Sequence, residues 1–253
     1  GIDIRENGLT VINNSIISNN TANRGGGFHS GDADSSIITN SIFSNNTAQR
    51  GGGLHIQSIN TSVIENLLIS NNTASNAGGG IFLEQWGSPD EDLDLSISSS
   101  TIVNNTSGDD DGGGGGVYLK HFTKSIINSS IIGYNSSPDI NFTSANPNQS
   151  INLTIEYSDI VGDIDINDNG TVNWGTGNID TDPLFCNADS SDFTLYDNSP
   201  CLGTGQDGVN MGAYGVGCEV YSGPTFHVVT NGSDNNDGSE ESPFATIQAG
   251  INA

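Results

Sequence analysis

Positive charge is nearly missing from this sequence. Five Lys and Arg stand against 30 Asp and Glu in 253 residues, a formal charge of −25. A chain so acidic repels phosphate backbones and anionic bilayers, which argues against nucleic acid and acidic membrane surfaces as partners. No apolar run approaches the roughly 18 residues of a spanning helix, so no membrane insertion is expected. Good helix formers are scarce as well, with one Met and little Lys or Arg. Cysteine is confined to Cys186, Cys201 and Cys218, in no zinc-like spacing. No Ser-His-Asp order stands out, and the glycines from Gly112 to Gly116 lack the Lys-Ser/Thr of a phosphate loop. The chain opens at Gly1 without a signal-like segment, as expected of a mature or excised piece.

What the sequence does have is Gly, Asn, Ser, Thr and a repeat. Asn-Asn-Thr recurs at Asn19, Asn45, Asn71 and Asn104, in steps of 26, 26 and 33 residues. A glycine run follows each copy: Gly25 to Gly27, Gly51 to Gly53, Gly78 to Gly80 and Gly112 to Gly116. Two weaker copies follow, beginning near Ile126 and Ile155. Alignment puts Ile12, Ile38, Ile64, Ile97, Ile127 and Ile155 in one column, and Ile17, Phe43, Ile69, Ile102, Ile132 and Ile160 in a second.

One such unit of short β-branched segments cannot bury its apolar face, whereas stacked units can, at roughly 4.8 Å per turn. About 26 residues suit a coil of three short strands and three turns. The expected fold is therefore all-β: a right-handed parallel β-helix (β-solenoid) of about six to seven coils, its hand taken from the rule for parallel crossovers. Stacked Asn side chains can form amide ladders at the turns, and Asn tolerates the left-handed conformation. Phe28, Leu54, Ile81 and Val117 should face inward. By alternation, His29, His55, Phe82 and Tyr118 should form an outward, surface column. Insertions at 84–94, at Asp109 to Asp111 and at 136–150 are expected as projecting loops.

The repeats resemble those of polymorphic outer membrane proteins and related right-handed β-helix surface proteins. The resemblance rests on Gly52-Gly53-Leu54, Gly79-Gly80-Ile81-Phe82 and Gly115-Gly116-Val117-Tyr118, with Phe43-Ser44-Asn45-Asn46. Ile replaces the Phe at positions 17, 69 and 102. The stretch from Gly177 to Phe185, then Asn198 to Cys201 and Gly212-Ala213-Tyr214, resembles the closing region of bacterial secreted β-helix proteins. Phe226 to Val229, Asn231 to Gly238 and Pro243 to Gln248 resemble the opening of such a helix, here placed after the closing region. The resemblance implies a secreted or cell-surface protein with a fold of the pectate-lyase-like superfamily. It divides the chain into coils at 1–176, an irregular closing cap at 177–221 and a start-of-helix motif at 222–253. The fold hosts lyases, adhesins and stalks alike, so it settles no activity.

A Cys186–Cys201 disulfide is expected to pin the cap, with Cys201–Cys218 as the rival; either implies an oxidising compartment. Asp165, Asn167 and Asn169 match the first half of a calcium loop, although Thr176 stands where a bidentate Glu belongs. Asp234 and Asp237 offer a second Ca²⁺ candidate. N-x-S/T sequons abound, and the loop positions Asn135, Asn141, Asn148 and Asn231 are the expected glycan acceptors. A lyase would need a base from among Arg5, Arg24, Arg50, Lys120 and Lys124, and a hydrolase a carboxylate pair that no spacing singles out. The expected function is a non-catalytic extracellular module that associates head to tail with copies of itself, as a fibre or surface adhesin. The alternative is a carbohydrate-active or polysaccharide-binding domain.

Overall fold

The computed structural model describes residues 1–253 except 6–7, 34, 59–61, 86–93, 109–112, 122–123, 144–150, 167–169, 221–226, 240 and 252–253. The chain divides into two compact units, Gly1–Cys218 and Glu219–Ala253. The first is a parallel β-solenoid.

The coils build three sheets, the third in only part of the solenoid. The first sheet runs Ile2–Ile4, Phe28–Ala33, Leu54–Ser58, Ile81–Gln85, Val117–Lys120, Ile140–Thr143 and Ile164–Ile166, every neighbour parallel. The second is bent: Leu9–Asn13 with Ile16–Ser18, then Ser35–Ser44, Ser62–Ser70, and the paired segments Asp94–Ser98 with Thr101–Val103 and Lys124–Asn128 with Ile131–Gly133. The third is short: Thr47–Arg50, Thr73–Ala77 and Thr106–Ser107.

Both apolar columns read from the sequence are single inner rows. Ile12, Ile38, Ile64, Ile97, Ile127 and Ile155 are in register from coil to coil and buried. So are Ile17, Phe43, Ile69, Ile102, Ile132 and Ile160. Phe28, Leu54, Ile81 and Val117 face them across the same core.

The corners explain the Asn and Gly. The first Asn of each Asn-Asn-Thr, at 19, 45, 71 and 104, turns the chain at φ between 56° and 58°. The second points inward and bonds to its counterpart one coil on. Asn46 Nδ2 donates to Asn72 Oδ1 at 3.0 Å, and Asn72 Nδ2 to Asn105 Oδ1 and Asn105 Nδ2 to Asn135 Oδ1, each at 2.9 Å. Each of those oxygens also accepts the backbone N–H of the preceding Asn. The same amides reach carbonyls of the inner row, as Asn72 does to Phe43 at 2.9 Å. Glycine follows because the coils nearly touch there: a Cβ on Gly52 would sit 2.3 Å from the Gly79 carbonyl oxygen.

A second ladder lies at the bend of the second sheet. Ser100 Oγ accepts from Leu67 N, Ser130 Oγ from Ser100 N and Ser158 Oγ from Ser130 N, at 3.1 to 3.2 Å. The residue before each bend takes a positive φ: Asn14, Asn40, Asn66, Ser99, Ser129 and Tyr157.

The closing segment does not simply plug the end. It folds back along the outer face of the second sheet, where the outward row Ile42, Leu68, Thr101, Ile131 and Asp159 needs cover. Leu195, Cys201 and Met211 bury Ile131, and Phe193 packs on Leu68 and Val103. Hydrogen bonds fix the seam: Gly212 N to Ser129 O at 2.8 Å, Ala213 N to Thr101 Oγ1 at 3.0 Å and Gln206 N to Ser129 Oγ at 3.0 Å. Its own small sheet joins Phe185–Asn187, Asp192–Tyr196 and Val216–Cys218. Ile16 begins the same outward row beyond this cover and is exposed.

The expected Cys186–Cys201 disulfide is not formed, and neither is Cys201–Cys218. Cys186 bonds to Cys218, tying the first and last strands of the small sheet. Cys201 instead turns into the seam as a buried free thiol, where its Sγ donates to Asp159 Oδ2 at 3.2 Å.

The second unit contains the short helix Ile247–Ile251 and a parallel bridge between Val228 and Phe244. Among the described residues no helix is long and apolar enough to cross a membrane.

Replacing Asn72 with Ala orphans the buried N–H of Asn46 and the acceptors of the Asn72 amide. The expected cost is about 2–4 kcal/mol, read as a lower urea midpoint at unchanged m value. Asn45→Gly, at an exposed left-handed turn, is expected to be near neutral in the same measurement.

Candidate functional site

The outward row of the first sheet is Asp3, His29, His55, Phe82, Tyr118, Asn141 and Asp165, in strict register. The sequence placed His29, His55, Phe82 and Tyr118 together, and they are together. Their expected exposure is corrected: all four are buried, at 4%, 0%, 1% and 5% exposed. Strand alternation fixes which way a side chain points, not what lies over it. The glycine corners crowd this row, since a Cβ on Gly51 would meet His55 Cβ at 2.8 Å and one on Gly78 would meet Phe82 Cβ at 2.8 Å. Arg50 lies over the Phe82 ring, 5.7 Å from its centroid, and Ala77 packs with Phe82 and Tyr118. The rings follow one another in contact, His29–His55 tilted at 5.0 Å, His55–Phe82 edge-on at 4.8 Å and Phe82–Tyr118 stacked at 5.0 Å.

The scarce cations gather on this face. Arg5 pairs with Asp3 at 3.0 Å, and Lys120 pairs with the buried Glu84 at 2.8 Å. Gln57 Nε2 also donates to Glu84, and Arg24 Nη1 reaches Gln57 Oε1 at 3.4 Å. With Arg50, four of the chain's five Lys and Arg stand here. Arg24 and Arg50 occupy equivalent positions before their glycine runs. They do bridge one another, but at a corner whose side chains reach the first sheet.

Ionisation differs sharply along the row. Asp3 is held below the usual carboxylate range by its hydrogen bond to His29, then by Arg5. Burial, aided by the charges of His29, Arg24 and Arg50, pushes His55 down to about 3. At the far seam, burial pushes Asp159 up to about 6, against the hydrogen bonds it accepts from Thr181 and Cys201. Burial and the adjacent Asp159 raise the Cys201 thiol well above its ordinary range, so it is a poor nucleophile.

The other expected sites fare unevenly. Asn135 is not a loop acceptor for a glycan. It belongs to the amide ladder, and its Nδ2 donates to Ile102 O, Gly133 O and Asp139 Oδ1, each at 3.0 Å. Asn141 is buried in the outward row, which leaves no room for a sugar. Asn231 is exposed, and Asn148 lies outside the described residues. In the coils, the exposed sequon residues among those described are Asn13, Asn19, Asn45 and Asn152, of which Asn19 and Asn45 are left-handed. Of the first calcium candidate, Asp165 is exposed in the outward row, while Asn167 and Asn169 lie outside the described residues, as do Asp109 to Asp111. Asp234 caps the short helix: its Oδ1 accepts from Ala245 N and Thr246 N and its Oδ2 from Thr246 Oγ1. Asp237 Oδ1 accepts from Ser239 N at 3.0 Å. No group of three or more His, Cys, Asp or Glu among the described residues is arranged to hold a metal.

Two stretches, residues 40–57 and 66–84, match the Chlamydia polymorphic membrane protein repeat. Each spans the left-handed Asn, the ladder Asn, the glycine corner and the first residues of the first sheet, so the match falls on the corner chemistry described above. This is a β-helix protein with polymorphic-membrane-protein-like repeats. No curated protein and no solved structure matches the chain.

The polymorphic-membrane-protein-like solenoid thus buries two groups with opposite acid responses. Unfolded His55 binds its proton near pH 6.5, so its contribution erodes stability as pH falls from about 6.5 toward 3. Asp159 contributes stability that is full below its ordinary 3.8 and lost as pH rises through about 6. Urea midpoints between pH 3.5 and 7, as a chosen range on the order of these values, should show the acid-side loss flattened in His55→Leu and the loss toward neutrality flattened in Asp159→Asn. Alkylation should leave Cys201 unmodified in the native protein and label that one thiol after unfolding without reductant. Two or more labelled thiols would contradict the Cys186–Cys218 bond.

Proposed function

We propose that the chain is a non-catalytic cell-surface module of adhesin type whose solenoids associate head to tail. The single observation that carries the assembly is the parallel, in-register stacking of like coils, each strand of the first sheet pairing with its equivalent one coil on. A coil of a second copy can add by the same kind of pairing. A contact of this kind between copies does not close on itself and grows into a filament. The matched repeats support the surface location, since the family they belong to is one of membrane proteins by description. The buried Glu84 supports a structural rather than catalytic face, because Lys120 and Gln57 hold its oxygens. Where the source organism glycosylates asparagine, Asn13, Asn19, Asn45, Asn152 and Asn231 are the accessible acceptors among the described residues.

Sedimentation velocity over a hundredfold concentration range, with negative-stain micrographs, tests this. The expected result is concentration-dependent linear assembly that is weakened by deletion of 219–253. A monomer at every concentration would sink the assembly reading, and assembly indifferent to the deletion would sink the assignment of that segment to the contact.

A further inference from the structure

At the edge of the closing layer a cleft of about 430 Å³ opens between the layer and the second and third coils, within the range of small-molecule sites. Ile42, Ser44 and Asn45 line it from the solenoid, and Asp192, Thr194 and Tyr214 from the layer. We propose that Asn45 is a glycosylation site and that this cleft seats the first, uncharged sugar of the glycan it carries. The proposal rests on the reading of exposed asparagines as acceptors, not on assembly, and adds to it one site and its seat.

Two equivalent corners differ in what covers them. Asn45 and Asn71 take the same left-handed turn, each at φ 56°, one coil apart. At Asn71 the closing layer lies over the corner, and the carboxamide donates to Ser191 Oγ at 3.2 Å. Leu68, the outward residue just before that corner, is 7% exposed. At Asn45 the edge of the layer is reached. The Asn45 carboxamide is exposed and makes no hydrogen bond among the described residues, and Ile42, the equivalent of Leu68, is only half-buried. A group fixed to Asn45 completes over Ile42 the cover that the layer completes over Leu68. Attachment costs this corner nothing, because the amide it uses has no hydrogen bond to lose. Asn13 differs: its Oδ1 already accepts from Thr39 and Asn40, at 3.2 and 3.0 Å. Thr47, which supplies the hydroxyl of the Asn45 sequon, is exposed as well.

The walls suit a sugar. A pyranose ring offers apolar C–H faces and a rim of hydroxyls. Ile42 and the Tyr214 ring, both half-buried, supply the apolar contact. Asp192 Oδ1 accepts from Thr194 N at 3.1 Å, which leaves Oδ2 of this exposed carboxylate for a hydroxyl. No Lys or Arg stands among the lining residues and Asp192 is their one carboxylate, so the wall disfavours an anionic sugar and accepts a neutral one. The bond itself is made by the secreting cell's transferase. The Asn45 Nδ2–C1 bond forms as the C1–O bond of an activated glycosyl pyrophosphate breaks, the amide gives up one proton, and the pyrophosphate leaves with the electron pair.

Secretion of the full chain from a eukaryotic cell line that glycosylates asparagine tests the proposal. Glycopeptide mass spectrometry is expected to find Asn45 occupied. Release of its glycan by peptide-N-glycosidase should be slower than release from the other occupied sequons by about tenfold or more in the native protein, and equal to them after unfolding. Tyr214→Ser should remove most of that difference while leaving occupancy unchanged. Occupancy elsewhere without Asn45 overturns the site, and no occupied sequon at all overturns the acceptor reading with it. Native release as fast as from the other sequons overturns the seat, as does slow release that persists in a folded Tyr214→Ser. If that variant does not fold, urea midpoints decide. Asn45→Asp is expected to lower the midpoint of the secreted protein more than that of the unglycosylated protein made in bacteria, and an equal effect in both overturns the seat. Assembly enters none of these readouts, so their failure leaves the sedimentation result standing.

Discussion

Everything in this molecule depends on coil-to-coil register, and the asparagine ladder is what enforces it. Each ladder oxygen receives two donors from the coil before it, the backbone N–H and the side-chain amide of the preceding Asn. A slip of one residue would leave both unpaired in a dry interior and would also turn every inner Ile outward, because side chains alternate along a strand. The ladder also dictates its neighbours. An inward Asn at the corner requires a left-handed residue before it, and the adjacent close approach of coils requires glycine at positions such as Gly52. The repeat unit is thus a corner as much as a set of strands, and each family match spans a corner.

Much of this was legible because stacking repeats the same demand at the same place. The two Ile-rich rows and the Asn ladder could be read by aligning copies, since each position meets its own equivalent above and below. The serine ladder was not, for a physical reason: Leu67 interrupts it, and a hydroxyl that accepts one N–H leaves a weaker compositional trace than a paired amide. The outward row was placed correctly but assigned to solvent, because periodicity carries no information about the corner folding over His55 and Phe82. Asn135 was read as a loop sequon, although its ladder role follows once the coil before it is in register.

The closing segment was the least legible part, and its disulfide shows why. The expected Cys186–Cys201 bond assumed a local clasp pinning an irregular cap. The segment is instead an extra layer laid along the second sheet, so its geometry is set by contacts 42 to 120 residues distant, such as Cys201 with Asp159 and Asn71 with Ser191. The outward apolar residues Ile42, Leu68, Val103 and Ile131 were the available sign of such a layer. An apolar row on the outside of a solenoid needs something to cover it.

That layer makes the two broad outer faces unequal. One is occupied by the chain's own closing segment and is dry, seamed by backbone bonds and a buried thiol. The other carries nearly all of the cations, and its aromatic row is sealed by its own corners rather than by another layer. The field of an acidic protein disfavours anions everywhere at long range, with a reach of about 8 Å at physiological salt. Only a short-range cluster of charges and hydrogen-bonding groups can overcome it. Selectivity at such a site comes from the surrounding repulsion as much as from the contacts within it.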